Sequence, residues 1–156
     1  GRGEGAGGGE EVLASLRRAG FDPTVPTTFV LEGVSYYLPR AAVQDVLSMV
    51  ARCAPGSVLA MDFATDLWSD SAQCDPSVTQ FMTFLERIGE PFCYGVAADS
   101  SPMEAFGCDG QLSVDVWLGP YTIQKMFLHV DDPAFLMRQY HNSLMNLAVL
   151  RVNKKT

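Results

Sequence analysis

Two short apolar runs, Thr28–Leu31 and Ser57–Phe63, lie on either side of an amphipathic segment. That order constrains the fold more than any other feature of the chain. Between the runs, Val43, Val46, Leu47 and Val50 recur at the spacing of one helical face. Ala54-Pro55-Gly56 then stops that helix. Strands joined through a helix cannot form a hairpin, so the expected arrangement is parallel neighbours linked by a crossover. Runs without polar alternation are expected of strands buried on both faces.

The remaining chain continues the alternation. Glu10-Glu11 opens a segment that closes with Arg17-Arg18-Ala19-Gly20, acids first and bases last, as a helix dipole and a glycine cap favour. Asp75-Pro76 reads as an N-cap followed by proline in the first turn, and Val78, Phe81, Met82 and Leu85 form the apolar stripe before Gly89. A short helix is expected over 102–107, and two more over 121–128 and 133–140. Gln111–Trp117 alternates, with Leu112, Val114 and Val116 on one side, and Leu144–Val152 is apolar but for Asn146 and Arg151. Four strands among helices predict an α/β fold with a mainly parallel sheet and helices on both faces.

Residues 1–9 contain six glycines and read as a linker or insertion, with 10–156 as a single domain. Gly3, Gly5 and Gly8 satisfy G-x-G-x-x-G, but no strand precedes them to aim such a loop at a helix N-terminus. A net charge of −7 with scattered basic residues excludes a nucleic-acid surface. No apolar run is long enough to span a bilayer, and no signal or transit character opens the sequence. Cys53, Cys74, Cys93 and Cys108 form no close pair, as expected of reduced thiols. The expected setting is therefore intracellular and soluble, most simply cytoplasmic.

The stretch Phe29-Val-Leu-Glu-Gly-Val-Ser-Tyr-Tyr-Leu-Pro39 resembles the S-adenosylmethionine-dependent methyltransferases of the leucine carboxyl methyltransferase family. Ala19-Gly-Phe-Asp-Pro23, Ala54-Pro-Gly-Ser57, Gly89-Glu-Pro-Phe92, Tyr94-Gly95 and Leu118-Gly-Pro120 agree with it in the same order, so the resemblance covers roughly residues 12–152. It implies a Rossmann-like sheet in the order 3-2-1-4-5-7-6 with the seventh strand antiparallel. Thr28–Leu31 would be strand 4, Ser57–Phe63 strand 5, Gln111–Trp117 strand 6 and Leu144–Val152 strand 7. Strands 1 to 3, with the glycine-rich cofactor loop and the ribose-binding acid, have no counterpart. The expectation is the C-terminal, acceptor-side half of such a domain, with strand 4 covered by the missing N-terminal half or by another chain.

The resemblance implies S-adenosyl-L-methionine as cofactor and a methyl-accepting oxygen, on a small molecule or on a protein carboxylate. It places Glu32 and Gly33 at the cofactor, where strand order reverses and ligands bind. Glu32 directly follows a strand expected to be buried, where a carboxylate needs a partner. Tyr36 and Tyr37 are candidates for an aromatic wall at the cofactor or the methyl acceptor, with ordinary core packing as the competing reading. Asp62 and Asp66 could point into the cleft, with a surface role the more ordinary reading, and His129 with Asp131 and Asp132 reads as a helix start rather than a metal site. His141 has no matching partner, and no nucleophile elbow or Walker loop is present. The other function class consistent with the sequence is a methyltransferase-like subunit that has lost catalysis and serves an interaction.

Overall fold

A computed structural model describes residues 8–69, 74–106, 108–128 and 144–154. Among the described residues five helices, α1 (Gly8–Arg18), α2 (Arg40–Ala51), α3 (Pro76–Ile88), α4 (Pro102–Phe106) and α5 (Pro120–Leu128), accompany one mixed sheet. Its strands are β1 (Thr28–Leu31), β2 (Val58–Asp66), β3 (Val96–Ala97), β4 (Leu112–Leu118) and β5 (Met145–Val152). The four longer strands lie side by side in the order β1-β2-β5-β4. β1 runs parallel to β2, while β5 is antiparallel to both β2 and β4. This is the relative order that the resemblance implies for its strands 4, 5, 7 and 6. The two-residue β3, which pairs in parallel with the end of β2, adds a fifth strand to the four expected.

The core sits on one face of the sheet. Leu59, Met61 and Phe63 of β2 and Ala148, Leu150 and Val152 of β5 pack there with Val43, Leu47 and Val50 of α2. Three aromatic rings close its far end: Phe63 lies 5.0 Å from Phe106 and 4.6 Å from Trp117 between centroids. The polar interruptions in β5 are satisfied locally. The buried Asn146 amide donates to Thr65 Oγ1 at 2.8 Å and to the Leu144 carbonyl at 2.9 Å. The Arg151 guanidinium reaches Asp115 at 2.6 Å on the surface.

Several sequence expectations change here. Gly8 and Gly9 belong to α1 rather than to a linker. A Cβ on Gly9 would lie 2.3 Å from the backbone oxygen of Asp45, so glycine lets α1 approach α2. Apart from Ala64, β2 and β5 bury alternate residues, leaving Val58, Ala60 and Leu147 partly exposed, because the core lies chiefly on one face. β1 is not buried on both faces either: it is an edge strand, and Val30 is 67% exposed. In β4 a bulge between Val114 and Val116 breaks the alternation. Trp117 then packs on the core where Val116 had been expected. The helix expected over 133–140, and His129, Asp131, Asp132 and His141, lie outside the described residues.

Candidate functional site

The site is built where the chain leaves β1. Parallel pairing sets Leu31 opposite Met61, so Glu32 and Gly33 emerge beside Asp62 of β2. Gly33 adopts φ +71°, a left-handed conformation that glycine reaches without strain. Its N–H donates to both carboxylate oxygens of Asp62 at 3.0 Å. Two residues on, the fully buried Ser35 donates its hydroxyl to the Asp62 carbonyl at 2.6 Å. A single residue of β2 therefore holds the turn twice, once through its side chain and once through its backbone. A 3-10 turn over Ser35–Tyr37 follows, and α2 begins at Arg40 with Pro39 as its N-cap.

The turn presents an acid and then aromatic rings. Glu32 is exposed at the strand end, contrary to the burial expected of it, because β1 is an edge strand. Burial pushes the Asp62 carboxyl above its usual range; the Gly33 N–H partly offsets this, and the Glu32 charge adds to it. The Tyr36 hydroxyl is likewise raised by burial and then by the Asp62, Tyr37 and Glu32 charges. Tyr37 is raised by burial and by Glu90, with which its hydroxyl bonds. Both phenols thus favour their protonated forms.

Phe92 stands at the centre of the aromatic group. Its ring lies 4.5 Å from Tyr36, 5.5 Å from Tyr37, 5.8 Å from Trp68 and 5.9 Å from Phe81. The segment carrying it is tied to the turn, since Cys93 N–H and Tyr94 N–H donate to the Tyr36 carbonyl at 2.7 and 3.2 Å. Buried Gly95 closes the arrangement: a Cβ there would come within 2.7 Å of the Trp68 ring and 2.9 Å of Asp66 Cα. Arg40 lies 5.0 Å above the Tyr94 ring.

The structure thus brings Glu32, Gly33, Tyr36 and Tyr37 to one end of the sheet. Asp62, for which the cleft was the lesser reading, joins them, and Ser35, Trp68 and Phe92, to which sequence reading gave no role there, complete the constellation. Asp66, also read as a surface residue, accepts from the Ser69 N–H and hydroxyl at 3.0 and 2.6 Å and so shapes the loop carrying Trp68. Among the described residues no group of three or more His, Cys, Asp or Glu side chains is placed to hold a metal. No helix among them is long and apolar enough to cross a membrane.

A cavity of about 540 Å³ lies elsewhere, between α2 and the region of α4, and shares no residue with the turn. Two of the three charged side chains that line it are engaged internally: Arg52 pairs with Glu10 at 2.8 Å, and Glu104 accepts from Ser101. Its size alone therefore does not mark it as the reactive site.

Comparison with known proteins agrees with this geometry. The sequence profile of the leucine carboxyl methyltransferase family matches residues 9–51, which include the whole turn. A Mycobacteroides abscessus protein, named as a candidate S-adenosyl-L-methionine-dependent methyltransferase, is 48% identical over 56 residues, 35% of this chain and 18% of its own length. A Frankia alni protein similarly named is 34% identical over 80 residues, 49% of this chain and 29% of its own length. A Thermobifida fusca structure described as a candidate methyltransferase superposes with a TM-score of 0.56 at 20% identity, over 94% of this chain and 51% of that one. A DUF574 family protein from Streptomyces avermitilis gives 0.55 at 18% identity, over 90% and 51%. The chain thus spans under a third of these curated relatives and about half of each structure. Residues 9–51 match the profile of the leucine carboxyl methyltransferase family, and the chain shares the α/β fold of these two structures.

Proposed function

We propose that the chain forms the acceptor-side half of an S-adenosyl-L-methionine-dependent methyltransferase domain, transferring methyl groups to an acceptor oxygen. The observation that carries this reading is the turn after β1, where Gly33 is clamped to Asp62 and Glu32 is held free at the strand end. The residues fit the cofactor's charge. Glu32 and Asp62 supply carboxylates for a methionyl ammonium, and the Tyr36 and Tyr37 rings suit a cationic centre. Bound there, the cofactor supplies a methyl group on a positively charged sulfur. What this chain's residues do is position and desolvate: Gly33 brings the backbone close, and Tyr36, Tyr37 and Phe92 exclude water from the acceptor side. The family resemblance allows that oxygen to lie on a small molecule or on a protein carboxylate.

The open edge of β1 supports the half-domain part of the proposal. Strands 1 to 3 of the full sheet, on an N-terminal half or on another chain, would cover Val30 and supply the adenosine contacts. The exposed edge also favours a second reading, in which that face serves an interaction and the chain has no catalysis.

Calorimetry with S-adenosylhomocysteine separates the two. Negligible binding is expected for residues 1–156 alone, and binding for the chain reconstituted with its complementary half. There Glu32→Gln should weaken affinity about 10- to 100-fold, since a hydrogen bond to a charged group contributes roughly 1.5–3 kcal/mol. Asp109→Asn, on the wall of the distant cavity, should not. Equal binding by wild type and both variants would overturn the role given to Glu32. No binding by the reconstituted domain would leave the non-catalytic reading.

A further inference from the structure

A second, smaller cavity of about 250 Å³ adjoins the aromatic group. Trp68, Met82, Pro91 and Phe92 give it apolar walls, and Glu86 is the single charged residue at it among the described residues. Two threonines also line it, but their hydroxyls are already bonded: Thr83 donates to the Thr79 carbonyl at 2.9 Å, and Thr79 contacts Cys74 Sγ at 3.4 Å. Among the described residues a guest therefore meets ring faces, a thioether, the Cys74 thiol and one carboxylate, with no cation to receive an anion. Phe92 forms the common wall, since its ring also touches Tyr36 and Tyr37. Trp68 is held against Gly95, so the pocket's back is fixed in place.

We infer that this cavity receives an uncharged aromatic ring of the methyl acceptor, a phenol-like group rather than a carboxylate. The inference rests on the methyltransferase reading for the word acceptor, but the pocket's preference stands independently of it. The volume suits one or two fused rings, near the lower end of small-molecule sites. Ring faces at the wall favour a flat guest through edge and offset contacts. Glu86 accepts a hydroxyl proton's hydrogen bond but repels an anion, and the neighbouring Glu32, Asp62 and Glu90 add charge of the same sign around the aromatic group. Of the acceptors that the family resemblance allows, a carboxylate fits this wall poorly.

The test uses the whole chain with two fluorinated probes of the same size, 4-fluorophenol and 4-fluorobenzoate, read by fluorine NMR line broadening without cofactor. Wild type should broaden the phenol, and bind the benzoate roughly fivefold or more weakly. Thr83→Trp, which fills the cavity from an exposed helix position, should abolish the phenol broadening. Gln80→Trp, which fills only the adjoining groove beside Arg87, should not. Glu86→Gln should narrow the gap between the probes by strengthening benzoate. Equal binding of both probes, or phenol broadening that survives Thr83→Trp, would overturn the inference. Because no cofactor is present, such a failure leaves the methyltransferase reading to its own test with Glu32→Gln.

Discussion

Replacing Ser35 with Ala tests whether the turn after β1 is held as its geometry implies. The hydroxyl is fully buried and donates to the Asp62 carbonyl at 2.6 Å, so its loss leaves that oxygen one donor short, in a place water does not reach. A neutral buried hydrogen bond contributes about 0.5–1.5 kcal/mol net, and an abandoned partner pushes the cost to the top of that range or beyond. Taking about 1.5 kcal/mol and a urea slope of roughly 2 kcal/mol/M, the unfolding midpoint should fall by about 0.7 M with the slope unchanged. The measurement is best made in a Val30→Lys background, which blunts the open β1 edge. In the reconstituted domain the same change should also weaken S-adenosylhomocysteine binding. Glu32 rides on this turn, so combining Ser35→Ala with Glu32→Gln should cost less than the sum of the two. A midpoint shift below about 0.2 M, or strict additivity in affinity, would show that the hydroxyl does not hold the turn.

Val30→Lys should convert a concentration-dependent oligomer of the chain into a monomer by sedimentation, because a lysine on an exposed edge strand discourages strand addition; a wild-type chain that is already a stable monomer would refute this. Gly95→Ala should destabilise the chain by about 1–3 kcal/mol in thermal or urea unfolding, since the new methyl overlaps Trp68 and the Asp66 backbone. It should also shift Trp68 emission, and a variant with wild-type stability would mean the two segments do not meet. Burial raises Asp62 in the folded state, so protonation favours folding and its contribution is lost as pH climbs through and above the ordinary aspartate range near about 4. Asp62→Asn keeps an acceptor for Gly33 without the charge. Its stability relative to wild type should therefore improve from pH 3 to pH 7, and a flat difference would contradict the assignment.

Much of the architecture was legible because this chain punctuates its elements with strong signals. Asp75-Pro76 does cap α3, with the Asp75 carboxylate accepting the Ser77 N–H at 2.9 Å, and Gly89 ends the helix in the left-handed region. Thr28–Leu31 is the strand its composition suggests. What composition could not carry was context. An apolar run looks the same in the centre of a sheet and at its edge, so burial of β1 was misjudged although its boundaries were not. The bulge at Asp115 was hidden for a related reason. Strict alternation of Leu112, Val114 and Val116 is locally consistent, and only pairing with β5 reveals that Trp117 takes the core position. Gly8 and Gly9 read as linker because glycine lowers helix propensity, yet close packing of α1 on α2 outweighs that cost at Gly9.

The site was half legible for a more instructive reason. Glu32, Gly33, Tyr36 and Tyr37 are contiguous, so a motif can carry them together. Asp62 is 29 residues beyond Gly33 and joins the site only through the parallel register that sets Leu31 beside Met61. Taken singly, it is one aspartate in an apolar strand, for which a surface role is the ordinary expectation. The register turns that polar interruption into evidence: the residue of β2 just past the end of β1 is where a backbone N–H leaving the strand needs an acceptor. The same reasoning applies to Phe92 and Trp68, which follow a helix and a strand at different points of the chain and meet only because both connections end at the same side of the sheet. Local chemistry therefore brings together the residues proposed for the cofactor, whereas much of the wall proposed for the acceptor emerges from long-range pairing. On the proposed reading the acceptor's identity depends on Trp68, Met82, Glu86 and Phe92 as well as on the motif's tyrosines, and changes at Met82 and Glu86 should alter which probe is bound while leaving the affinity for S-adenosylhomocysteine in place.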